Sequence, residues 1–122
     1  MQTKTIGAVT VLHVPATGPA LASERDATDI IGDAFGLSDS ENRLVAIPVA
    51  RLASDFLRLR TGMAGAFIQK FVTYGFRVAF VGDIAAAVDG STALRDFVVE
   101  SNRGDLVWFV ADEAELERRL AE

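Results

Sequence analysis

Residues 57–65, LRLRTGMAG, separate a strand-like run from a helix-like run. Thr61 and Gly62 stand at the hinge between the two runs. A hydroxyl that precedes a glycine at a helix start can cap the helix, hold an anion or accept a phosphate. The sequence leaves these three roles open. The change from strand to helix at this hinge predicts an α/β fold.

Strands and helices alternate on both sides of the hinge. In chain order the predicted elements are a strand over 5–14, a helix over 23–35, a polar loop over 37–42, a strand over 43–49, a helix over 61–74, a strand over 77–81, a loop over 84–90, a helix over 91–102, a strand over 106–110 and a helix over 112–120. Ser23 with Asp26, Ser91 and Asp112 are predicted N-terminal caps.

This alternation predicts one α/β domain over residues 1–122. We expect a mostly parallel or mixed four-stranded sheet with about four helices, because strands that alternate with helices build such sheets. A chain of this length buries enough surface for a core of its own.

The composition excludes several classes of function. The chain carries a net charge of −5 and contains no cysteine, so we expect no nucleic-acid partner and no thiolate or zinc–sulfur chemistry. We see no signal peptide and no apolar run that could cross a membrane, which predicts a cytoplasmic protein without a membrane partner. His13 is the single histidine, and neither a nucleophile elbow nor a phosphate-binding loop is present. We therefore favour a protein that is not an enzyme and has no cofactor.

A ligand site at the strand ends is the alternative. Ligands of parallel α/β sheets bind outside the carboxyl ends of the strands, where charged side chains of this chain are expected. The candidate residues are Arg51, Asp55, Arg58, Arg60, Asp83 and Asp112. The three carboxylates are also the ligand type that Mg²⁺ prefers. Asp112 as a helix cap and Asp83 as a turn residue explain these positions without a metal, so we expect no metal site.

The helix that starts at Thr61 carries apolar residues around most of its circumference, which indicates either a central helix or a second partner on its outer side. Arg58 and Arg60 precede its positive N-terminal end. A phosphate on Thr61 would be favoured there. We therefore consider Arg58, Arg60, Thr61, Gly62 and Gly65 a candidate switch or interaction surface.

A second motif ends the helix that Ser91 begins. It consists of Glu100, Ser101, Asn102 and Arg103, and Gly104 follows. A solvated face with a C-terminal cap explains these residues, and a partner contact is the alternative.

These blocks resemble an uncharacterised bacterial family, the domain-of-unknown-function family 4180. The resemblance covers nearly the whole chain, and its specific parts are the Thr-Gly-x-Ala-Gly block at 61–65 and the Glu-Ser-Asn-Arg-Gly block at 100–104. It implies no established activity.

The order of elements is also similar to the sulfate-transporter and anti-sigma-antagonist (STAS) fold. In that fold a hydroxyl–glycine pair opens the central helix, and phosphorylation there can switch partner binding. The resemblance implies a STAS-like fold in which such a pair can act as a switch. Because catalytic groups are missing and the helix from Thr61 is widely apolar, we expect a regulatory domain that contacts an unidentified protein partner, with a homodimer as one arrangement. Thr61 and Gly62 fall at the corresponding place.

Overall fold

The computed structural model describes residues 1–38 and 41–121. Its strands are β1 (Gln2–Ile6), β2 (Val9–His13), β3 (Arg43–Pro48), β4 (Arg77–Val81) and β5 (Val107–Val110). Its helices are α1 (Glu24–Leu37), α2 (Met63–Thr73), α3 (Ala85–Asp89), α4 (Thr92–Arg103) and α5 (Glu113–Ala121). Two 3₁₀ turns, Val49–Arg51 and Leu59–Thr61, lie between β3 and α2.

The sheet is mixed and its strands follow chain order, β1-β2-β3-β4-β5. β1 pairs with β2 in antiparallel register, and the remaining neighbours are parallel. The prediction of an α/β fold with a mostly parallel or mixed sheet is confirmed.

The predicted number of strands was wrong. Residues 5–14 do not form one strand, because Gly7 turns the chain with a φ of 61° and starts a hairpin. A Cβ at Gly7 would lie 3.2 Å from the carbonyl oxygen of Leu120, so the hairpin tip also packs closely against α5. The sheet therefore has five strands.

The predicted number of helices, about four, was also too low by one. Residues 84–90 were predicted as a loop, but they contain the short helix α3. The Asp83 side chain accepts a hydrogen bond from the N–H of Ala85 and so starts that helix. Of the predicted loop over 37–42, residues 39 and 40 lie outside the described residues.

Two apolar clusters cover the two faces of the sheet. One face packs against α1, α2 and α4, and its aromatic centre consists of Phe56, Phe67, Phe71, Phe76, Phe80 and Phe109. The other face packs against α5 through Leu116 and Leu120, which meet Val11, Leu44, Ala46, Ala79, Trp108 and Val110. Three helices thus cover one side and a single nine-residue helix covers the other.

The predicted caps of α1 and α5 are confirmed. Ser23 and Asp26 form a capping box, and the N–H groups of Ser23 and Ala22 hold the pKa of the Asp26 carboxyl below its ordinary value. Asp112 accepts from the N–H of Glu115, and Glu115 accepts from the N–H of Ala111. These caps determine the residue at which each helix begins.

Candidate functional site

The Thr61 hydroxyl lies at the exposed start of α2. It donates to the carbonyl oxygen of Arg58 at 2.8 Å and accepts from the N–H of Met63 at 3.2 Å. The helix predicted over 61–74 begins two residues later, at Met63, because residues 59–61 form a 3₁₀ turn. The N-cap is Gly62, whose φ of 74° is left-handed, so Thr61 stands one residue before the cap and not at it.

Two exposed arginines lie at this turn, Arg58 directly before it and Arg60 within it. Among the described residues, neither Arg58 nor Arg60 forms a salt bridge through its side chain. Both line a surface pocket of about 630 Å³, together with Ser54, Leu57, Leu59, Ala86, Ala87, Gly90, Ser91 and Ala93. The pocket separates the loop before α2 from the segment that joins α3 to α4. Thr61 therefore lies beside a concave surface with unpaired positive charge.

Gly65 lies in the first turn of α2 and is exposed. A Cβ built there would meet no atom within 4 Å, and its φ is not in the left-handed region. Glycine inside a helix costs about 0.5–1 kcal/mol relative to alanine. Nothing within the described chain requires a glycine at this position.

Of the residues of the alternative site, only Arg58 and Arg60 line the pocket of about 630 Å³; the other four, Arg51, Asp55, Asp83 and Asp112, do not. Arg51 donates to the carbonyl oxygens of Pro15, Thr17 and Pro19 and so fastens the loop after β2. Asp83 lines a different pocket, of about 370 Å³, from the one that Arg58 and Arg60 line.

Asp55 and Asp112 lie in local turns. The carbonyl oxygen of Asp55 accepts from the N–H of Arg58, while Asp112 caps α5. Within residues 1–38 and 41–121, no three histidine or acidic side chains are placed to hold a metal ion. The residues of this alternative thus mainly hold loops and helix ends.

The helix-end motif ties α4 to the edge strand β5. The Asn102 side chain donates to the carbonyl oxygen of Phe109 at 3.1 Å and accepts from its N–H at 2.7 Å. Asn102 therefore occupies the hydrogen-bonding positions that a further strand would take. Arg103 and Glu100 form an exposed ion pair at 3.4 Å, and Ser101 is half-buried. Sequence patterns do not predict this role, because it depends on which edge of the sheet β5 occupies.

Comparison with known proteins gives one match. A family described as a domain of unknown function, DUF4180, matches residues 6–120, which include every candidate site residue. The chain belongs to the DUF4180 family. No match to a curated protein or to a solved structure was found. In the described part of this DUF4180 domain, no helix is both long and apolar enough to cross a membrane.

The DUF4180 domain also has two side-chain clusters that sequence reasoning missed. At the carboxyl end of β2, Nε2 of His13 lies 2.7 Å from Oε1 of Glu113. At the opposite edge, the guanidinium groups of Arg77 and Arg119 stack on the Trp108 ring at 4.7 and 4.2 Å. His13 meets Glu113 because α5 returns across the sheet. Arg77 meets Trp108 because β4 pairs with β5, and α5 adds Arg119.

Proposed function

We propose that this chain is a non-enzymatic, STAS-like regulatory domain that acts through protein–protein contacts, with Thr61 as its switch. One observation carries the proposal: an exposed hydroxyl at the start of α2 directly follows two exposed arginines that have no ion-pair partner among the described residues. The strand order and the hydroxyl–glycine pair before α2 support the STAS likeness. We place the domain in the bacterial cytoplasm.

The contact surface in this proposal consists of Arg58, Arg60, Thr61, Gly62 and Gly65. Unpaired arginines complement carboxylates, so the partner presents an acidic protein surface. A second copy of the chain, with its net charge of −5, is one such partner. A phosphate on Thr61 would pair with the two arginines and with the positive end of α2 in the same molecule. It would thereby displace the acidic partner.

Thr61→Glu is expected to weaken partner binding or self-association by at least about tenfold, or 1.4 kcal/mol, because the new carboxylate competes for the arginines. Sedimentation velocity measures self-association, and quantitative pull-down measures capture of a partner. Thr28→Glu is the matched control, since Thr28 is an exposed threonine of α1 and lies outside the pocket that Arg58 and Arg60 line. Equal behaviour of Thr61→Glu and the wild type in both assays would refute the switch.

Gly65→Ala separates the contact surface from the fold. We expect it to raise the free energy of unfolding by about 0.5–1 kcal/mol, because alanine favours helices and the added methyl meets open space. The same methyl should weaken partner binding by standing where the partner approaches. Gly32→Ala is the control, since Gly32 is exposed in α1 with equally open space. A more stable Gly65→Ala protein with unchanged binding would place the contact elsewhere.

A small-ligand or enzymatic site is the second candidate function, and the pocket of about 630 Å³ beside Arg58 and Arg60 favours it. Pockets of this volume accommodate small molecules. If this candidate holds, a small anion should stabilise the fold of the wild type and not that of Arg60→Gln. If the protein-contact proposal holds, Arg60→Gln should lose capture of the partner. Differential scanning fluorimetry and pull-down on the same variant distinguish the two candidates.

A further inference from the structure

A third pocket lies at the amino-terminal edge of the parallel strands. Its volume is about 560 Å³, and its lining consists of Gly7, Ala8, Val9, Asn42, Arg77, Asp105, Trp108, Arg119, Leu120 and Ala121. Thr61 lies at the other edge, because α2 runs from the carboxyl end of β3 toward the amino end of β4. The two surfaces are therefore separate.

The protein holds both arginines of this pocket in fixed positions. Nε of Arg77 donates to the carbonyl oxygen of Asp105 at 2.6 Å, and Nη2 of Arg119 donates to that of Asn102 at 2.7 Å. Both guanidinium groups stack on Trp108, which is only 5% exposed. A guanidinium has five N–H donors, so most donors on each arginine remain for another acceptor.

The charge of this pair is not neutralised by an ion pair. Neither arginine forms a salt bridge with a carboxylate of residues 1–38 or 41–121. Burial lowers the pKa of the Arg77 guanidinium; Asp105 opposes this effect, and Arg119 adds to it by repulsion. Two cations and one carboxylate therefore line the pocket, in a chain whose net charge is negative.

We propose that the pocket formed around Arg77, Trp108 and Arg119 binds a small molecule that carries a phosphate monoester. Two pre-oriented guanidinium groups match the several oxygens and double charge of such a group. A pocket of about 560 Å³ also has room for the organic part of the molecule. The stacked tryptophan stabilises the arginines in the absence of the ligand, which lowers the entropy cost of binding.

Trp108 is the single tryptophan of the chain, so its fluorescence reports on this pocket. Titration with glycerol 3-phosphate at constant ionic strength should give a saturable change that chloride does not give. Arg119→Gln should weaken the apparent affinity at least tenfold, and Arg119→Lys should retain part of it. Arg95→Gln, which removes an exposed arginine of α4, should bind like the wild type.

The wild-type chain provides a test that does not depend on the folding of a variant. Its melting temperature should rise with glycerol 3-phosphate, and to a smaller extent with inorganic phosphate, because a ligand of the native state stabilises it. A linear fluorescence response, an equal effect of chloride, or equal affinity of the wild type and Arg119→Gln would overturn the proposal. None of these results depends on Thr61, so the two proposals fail independently.

Discussion

Phe80→Ala is expected to lower the free energy of unfolding by about 3–5 kcal/mol, the usual cost of removing a buried phenylalanine ring. Phe80 is fully buried on the inner strand β4, between β3 and β5. Its ring stacks on Phe109 with centroids 5.0 Å apart and also contacts Phe56 and Phe67. The truncation would therefore leave a cavity between the sheet and α2, in a domain whose total stability is typically about 5–15 kcal/mol.

Urea unfolding followed by circular dichroism measures this loss. Phe35→Ala is the matched control, because the same atoms are removed from a ring that is 46% exposed. If Phe80→Ala does not fold, Phe80→Leu provides a milder change, with an expected cost of about 1.5 kcal/mol. An equal loss of the free energy of unfolding in Phe35→Ala and Phe80→Ala would contradict an aromatic core centred on β4.

Asn102→Ala is expected to cost about 1–3 kcal/mol, because it leaves the N–H and carbonyl groups of Phe109 without their side-chain partner. Phe109 is nearly buried, so water does not readily replace both bonds. The bond from Arg119 reaches the main-chain oxygen of Asn102 and survives the substitution. The effect should therefore be confined to the junction between α4 and β5.

Hydrogen exchange at the Phe109 amide gives a direct readout of the Asn102 bonds. Protection of that amide should fall in Asn102→Ala and persist in Ser101→Ala, whose cost should stay within about 0.5 kcal/mol. Unchanged protection in Asn102→Ala would show that the side chain does not secure the strand edge. A partner contact would then again be a candidate role for the helix-end motif.

Much of the fold follows from local patterns in the sequence. The strand over Arg77–Val81 and the helices capped by Ser23 and Asp112 were predicted because apolar spacing and capping residues act over a few positions. The hairpin was missed because Gly7 and Ala8 interrupt a strand-like run without the usual turn dipeptides. The helix α3 has only five residues, too few to show a helical period.

The candidate site was predictable only in part. The exposed Thr61 junction and its arginines adjoin in sequence, so the pattern located them. Arg77 meets Trp108 because β4 pairs with β5, and Arg119 reaches the same ring because α5 packs on the sheet. No local pattern encodes either arrangement. Arg51 was predicted as a ligand residue from its charge, although its guanidinium is bonded to three main-chain oxygens.

The unequal covering of the sheet has a consequence for how the molecule opens. Among the described helices, α5 alone packs on the face that carries Leu44, Ala46, Trp108 and Val110. Its detachment would expose that apolar face while the side covered by three helices stays intact. Such partial opening needs less free energy than global unfolding. Under mild heating, the first species to aggregate would then be a molecule whose sheet has lost its cover on one face. The tryptophan on that face would be the first residue to become exposed to solvent.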